Sequence, residues 1–208
     1  MMRWLYVVTR DLHLYLGLFI SPFVLLFAIS VFYLTHPTAL RRDAEPMTRR
    51  VTGVIVPATL AELQGRARID ALEPVLDALG VGGEVDFVRH IANEHRLVVP
   101  VRIPGRETIV DLDYANGTAT IATRFHSAAE AIVYLHKAPG PHNADLRGNA
   151  GFMRAWRVLA DVTVDTFLFI TISGVYLWLA LRAERRVGVA LVTAGLVSFA
   201  GLVYVIAR

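Results

Sequence analysis

Three long apolar runs mark the chain, and a polar middle separates the first from the other two. Between Leu12 and Thr35 there is no acid, lysine or arginine. A helix over that run, at ~1.5 Å per residue, is ~35 Å long and crosses the hydrocarbon of a bilayer. The run, taken from Arg10 to Pro37, predicts a first membrane span. Pro22 removes one helical hydrogen bond midway and predicts a bend. Trp4 and Tyr6 stand before it as interfacial aromatics. A signal peptide has an apolar stretch of ~7–15 residues and a small-residue cleavage site. This run is longer and ends in Tyr-Leu-Thr-His-Pro, so it is expected to stay as an anchor. A second span is predicted from about Val158 to Leu181 and a third from Val187 to Ala207. Only the short turn Arg182–Arg186 separates them, which makes an antiparallel hairpin. Ala190, Ala194 and Ser198 repeat every fourth residue and give the third helix a small-residue face for close packing. Phe19, Phe23 and Phe27 recur in the same way on the first span, and helix packing accounts for them without a cofactor.

The polar middle, about Thr38 to Arg157, reads as one small α+β unit. Arg41 to Arg50 is expected to be a polar linker. From Thr59 to Leu79 the apolar positions Leu60, Leu63, Leu72, Val75, Leu76 and Leu79 predict one or two amphipathic helices, with Pro74 as a kink or restart. Gly80-Val81-Gly82-Gly83 ends them. These glycines lack the GxGxxG spacing and follow a helix, so they are no phosphate loop. Strands are predicted over Val85–Ala92, Arg96–Ile103, Glu107–Asp113 and Thr118–Thr123, with turns at Asn93-Glu94, Pro104-Gly105 and Asn116-Gly117. Ser127 to Ala138 predicts a short helix at the membrane surface. Pro139-Gly140-Pro141-His142-Asn143 then forces a turn.

Composition narrows the function classes. Of 208 residues, 55% are hydrophobic and only 19% charged, a balance rare in soluble domains. There is no cysteine, which removes disulfides, thiolate metal sites and cysteine nucleophiles. The basic charge is arginine apart from Lys137, and much of it flanks the apolar runs. Membrane-flanking arginine explains this, and no nucleic-acid recognition motif accompanies it. His90 and His95, in HIANEH, lack the HExxH order of a helical zinc site, and no GxSxG elbow is present. His126 follows a strand and carries no signal.

The opening LHLYLGLFISPFVLLF, the stretch YLHKAPGPH and the ending FLFITISGVYLWLALR together resemble the PepSY-associated transmembrane family. ETIVDLDYANGTATI is similar to the end of a PepSY-type domain. The resemblance covers nearly the whole chain in order. It implies an integral membrane α-helical protein with three spans, one helix plus a helical hairpin, and an inserted small extracytoplasmic α+β PepSY-like domain. The expected boundaries are 1–37 for the tail and first span and 38–126 for the PepSY-like domain. Residues 127–157 form an interfacial helix and loop, and 158–208 the hairpin. Longer members include inner-membrane reductases for ferric siderophores, in which transmembrane histidines hold b-type haem. The second and third spans here carry no histidine.

The candidate haem ligands are His36, His136, His142 and His13. A six-coordinate haem needs two axial ligands on opposite faces of one ring. His13 and His36 are ~35 Å apart along one helix and cannot share an iron. His36 and His136 form the possible outer pair, with His142 nearby. An inner haem on His13 requires a partner protein or a second copy. Asp161 and Asp165, one helical turn apart, form a membrane-interface acidic pair that either neutralises Arg154 and Arg157 or relays protons.

Two functions stay open. In one, the chain is a non-catalytic membrane-anchored accessory subunit of a larger inner-membrane complex and docks through its PepSY-like domain and spans. In the other, it binds haem b and transfers electrons across or along the membrane. The expected partners are the lipid bilayer and a membrane protein or a second copy, with no nucleic acid. The expected location is a bacterial inner membrane. Arg3, Arg10, Arg182, Arg185 and Arg186 place the N-terminus and the hairpin turn in the cytoplasm. The soluble domain and the C-terminus are then periplasmic.

Overall fold

The structure is a computed structural model, and it describes residues 2–36, 45–138, 146, 148–181 and 185–207. The elements in chain order are α1 (Met2–Thr35), β1 (Met47–Thr52), α2 (Gly65–Ala78), β2 (Glu84–Val85), β3 (Arg89–Ile91) and β4 (Arg96–Ile103). There follow β5 (Arg106–Asp113), β6 (Thr118–Phe125), α3 (Ala128–Lys137), α4 (Gly151–Leu181) and α5 (Arg185–Ile206). The chain divides into two compact units. One comprises Met1–Phe23 and Val162–Arg208, and the other Val24–Asp161.

The larger unit is built on an antiparallel sheet of six strands, ordered β1-β6-β5-β4-β2, with β3 also paired to β4. Register follows from the alternation of apolar residues. Val99 lies opposite Val110 and Val110 opposite Ile121, and all three are fully or almost fully buried. This side of the sheet receives Ile69, Leu72, Val75 and Leu76 of α2, one apolar face at helical spacing. Burying one such side chain contributes roughly 1.5–3 kcal/mol. α2 runs through Pro74 because that ring sits on the exposed face, where the freed carbonyl of Asp70 meets solvent. The helix ends where the glycine run predicts. The Val81 N–H bonds back to the Leu76 carbonyl across Gly80, which has φ +65°.

Two expectations are corrected here. The stretch read as a linker to Arg50 contains β1, paired with β6 from Met47↔Thr123 to Thr52↔Thr118. As an edge strand it is exposed at five of its six residues, so it lacks the apolar alternation that marks a strand in sequence. The single strand expected over Val85–Ala92 is two short ones: the Asp86 N–H still bonds to the Pro100 carbonyl, but Pro100 has no N–H to return, and pairing resumes only at Arg89. The turn expected at Asn93-Glu94 is present, as a 3-10 turn over Ala92–Glu94 with His95 left-handed at φ 53°.

Glu84, in β2, is fully buried. Its two carboxylate oxygens accept the N–H groups of Gly148 (2.6 Å) and Ala150 (2.9 Å), immediately before α4. Asn149 joins the same strand by accepting the Val85 N–H and donating to the Val85 carbonyl, both at 2.8 Å. A buried carboxylate is tolerated only with such donors, and here they also satisfy N–H groups at a helix start.

Of the smaller unit, α1, α4 and α5 are each long and apolar enough to cross a membrane. α4 begins at Gly151, before the predicted Val158, and α5 begins at Arg185. α1 continues through Pro22. The missing N–H of Pro22 frees the Leu18 carbonyl, and the Ser21 hydroxyl donates to it at 2.9 Å. At the start of α5, Gly188 admits the indole of Trp178: a Cβ there would lie 2.2 Å from the ring. The hairpin is therefore closed by a tryptophan against a glycine.

Candidate functional site

Two histidines are held by buried serines in membrane-spanning helices. In the larger unit, α3 starts with a capping box. The Ser127 hydroxyl accepts the Glu130 N–H, and the Glu130 carboxylate accepts the Ser127 N–H. At the other end of α3, His136 Nδ1 lies 2.6 Å from Oγ of Ser30, a fully buried residue of α1. The imidazole meets the Phe27 ring edge-on, with centroids 5.3 Å apart. Trp156 of α4 packs against Phe27 and donates its indole N–H to the Leu135 and Ala138 carbonyls, at 2.9 and 3.0 Å. One end of α3 is thus fastened to both α1 and α4. In the smaller unit, His13 Nδ1 lies 2.8 Å from Oγ of Ser173, which is 4% exposed. Gly174 gives the ring room: a Cβ there would press on Cε1 at 3.3 Å.

The two contacts share a proton arrangement. Ser30 Oγ lies 2.5 Å from the Phe27 carbonyl, and Ser173 Oγ 3.1 Å from the Ile170 carbonyl. A carbonyl only accepts, so each hydroxyl donates to it. The single serine proton is then spent, and the ring nitrogen facing the serine is the donor. In the neutral imidazole this fixes the proton on Nδ1 and leaves the lone pair on Nε2, the form that ligates a metal.

The other candidates are placed differently. His36 ends α1 exposed, stacked on Phe32 at 4.6 Å, with Nδ1 3.0 Å from the Phe32 carbonyl. Ser30 and His36 are six residues apart, about 240° around the helix at about 100° per residue. His136 and His36 therefore address different faces of α1. His142 lies outside the described residues. Asp161 and Asp165 are both exposed on α4, and among the described residues neither forms an ion pair with Arg154 or Arg157. His90 bonds the Tyr114 hydroxyl at 3.0 Å.

Reading by residue type passes over the serines. Ser30 and Ser173 stand in apolar runs where a hydroxyl needs an acceptor, and that is the signal that finds them. It also passes over His126. This ring lies between Glu107 (3.9 Å) and Glu130 (3.6 Å) in a cleft of about 240 Å³ at the β4–β5 turn. Burial pushes Glu130 up, but the Ser127 N–H and hydroxyl and the neighbouring His126 together outweigh it and hold the carboxyl below its usual range. Arg102 pairs with Glu107 at 2.7 Å in the same cleft. Among the described residues no cluster of three or more histidine, aspartate or glutamate side chains is arranged to hold a metal ion.

No curated protein and no solved structure matches the chain. One family model does, that of the PepSY_TM-like proteins, over residues 7–207. That match takes in the three membrane-spanning helices, the sheet between the first and second of them, and both histidine–serine contacts; the chain belongs to the PepSY_TM-like family.

Proposed function

We propose that the chain is a non-catalytic, membrane-anchored accessory subunit of a larger inner-membrane complex, docking through its sheet unit and its spans. The supporting observation is how little the helices hold of one another. Over its most apolar stretch α5 buries no residue within the chain, and the smaller unit buries only Ile20, Thr163 and Ser173 among its described residues. Helices with so little mutual packing suit association with further helices. Arginine flanks support an N-terminus in the cytoplasm and a sheet unit outside it. The test is purification of tagged chain from native membranes in mild detergent, followed by mass determination of the particle. A stoichiometric second protein is expected. A particle holding one copy of this chain and lipid alone overturns the reading.

The Nδ1-anchored histidines favour a second reading, in which the complex is a redox one and this chain offers Nε2 of His136, or of His13, to a b-type haem. When bound, haem supplies one-electron transfer. The chain's own part would be to orient each imidazole through Ser30 or Ser173 and to shield that of His136 with Phe27. A further ligand would come from a partner or a second copy. Reduced-minus-oxidised spectra of the purified complex test this. A Soret and α band lost in His136→Ala or His13→Ala, and shifted in Ser30→Ala or Ser173→Ala, is expected. A colourless, folded complex removes it.

A further inference from the structure

We propose that the outer edge of β1 receives an extended, acidic segment of a partner protein, which adds to the sheet as a further strand. The inference rests on the accessory reading and names the surface and the partner chemistry.

β1 is the terminal strand of the sheet and pairs with β6 on one side only. Met47, Thr48, Arg49, Arg50 and Thr52 are exposed, and among the described residues no backbone group of another element bonds to the strand's outer side. Six residues of open edge leave alternate N–H and C=O groups aimed at solvent, a template for one more strand.

The side chains say which strand. Residues directly opposite in an antiparallel ladder share a face. Val51, opposite Ala119, packs on the core, so Thr48, Arg50 and Thr52 share the outer face with Thr118, Thr120, Ala122 and Arg124. On β5 the acids of this face are Glu107, Asp111 and Asp113. Glu107 accepts from Arg102 and lies opposite Arg124, Asp111 accepts from Arg96, which also holds Glu94, and Asp113 accepts from Asn116. Arg50 therefore remains the cation of the open edge that has no ion pair among the described residues. Arg49 is engaged elsewhere, donating to the Leu79 carbonyl at the end of α2. The nearest acid along the chain is Glu45, two residues before the strand.

A second copy is the poorer occupant. Pairing β1 antiparallel with itself about its centre sets Arg49 of each copy against Arg50 of the other, and like charges directly opposite are destabilising. A strand with acids on alternate residues places them beside Arg50 and Thr48 and meets no such repulsion. Its backbone supplies the affinity and its charge the selection.

The test uses the full chain in detergent and four synthetic seven-residue strand peptides. One is Thr-Glu-Val-Glu-Val-Glu-Thr, one is its lysine counterpart, and two are the acidic peptide N-methylated at alternate residues, one in each register. The acidic peptide is expected to bind and to slow amide exchange in 47–52. Affinity should fall about tenfold in Arg50→Glu, and binding should be lost on N-methylation in whichever of the two registers faces β1. Unchanged exchange in β4 and β5 checks that Arg50→Glu remains folded. Equal binding of the plain and both N-methylated peptides shows attraction by charge alone and overturns the inference. So does an affinity indifferent to Arg50→Glu, or a concentration-dependent dimer that excludes the peptide. Failure of the parent reading shows separately, as native particles that contain no second protein.

Discussion

The two units of the molecule are built inside out with respect to each other. The sheet unit hides a continuous set of aliphatic residues, from Leu60 through Leu72 and Val99 to Ile121, and turns threonine, arginine and carboxylates outward. The helical unit hides two hydroxyls, Thr163 and Ser173, beside Ile20, while Phe167, Leu168, Leu196 and Phe199 stand exposed. The difference is one of solvent. Water drives aliphatic side chains together, and lipid does not, so helices in a bilayer are held by packing, small residues and the few polar groups that need one another. The same residue type therefore carries opposite meaning in the two units. A buried serine beside an imidazole is informative in the helices, as a buried carboxylate is in the sheet.

Substitutions can break this contrast or sharpen it. Glu84→Ala strands the N–H groups of Gly148 and Ala150 and should cost the sheet unit about 3 kcal/mol. Amide exchange across β4–β6 in the intact chain reads that loss, and a cost within 0.5 kcal/mol would mean that the carboxylate is not structural. A comparable effect is expected from Val197→Arg at the middle of α5. Arginine there raises the cost of insertion by about 3 kcal/mol, and glycosylation-tag insertion assays measure it. Thr120→Arg, exposed on the sheet, should change stability by less than about 0.5 kcal/mol. Equal effects at these two exposed positions would erase the distinction between the solvents.

A smaller loss than at Glu84 or Val197 is expected at the start of α3. Ser127→Ala removes the capping box and should cost about 1 kcal/mol. Glu130 titrates lower in the folded chain than its ordinary value of 4.5, so the unfolded chain binds the proton more readily. Its stabilisation is complete above that ordinary value and fades as pH falls through the lowered folded one. Glu130→Gln should flatten this acid limb, seen as amide exchange of α3 against pH. A limb that persists unchanged in the glutamine variant assigns it to another group.

Much of this architecture can be read along the chain, and the reasons are local. α3 announces itself by Ser127 and Glu130 at capping-box spacing, β4 to β6 by alternation with turns at Pro104-Gly105 and Asn116-Gly117, and the spans by length. β1 does not, because an edge strand exposed at all but one residue, Val51, has no period to detect. The histidine contacts are legible by half. His13 and His136 stand out as polar residues in or beside apolar runs. Their serines come from 160 and 106 residues away, and no periodicity encodes such a pairing. His126 is hidden for the same reason, since Glu107 reaches it only through the β5–β6 register.

The border between the two units crosses α1 immediately after Phe23, one residue beyond Pro22. A rung of the helical ladder is absent there, and the Ser21 hydroxyl stands in for it at the Leu18 carbonyl. The oxygen that the proline leaves without its backbone donor is thereby met within its own turn, and Ser21→Ala would bare it to lipid.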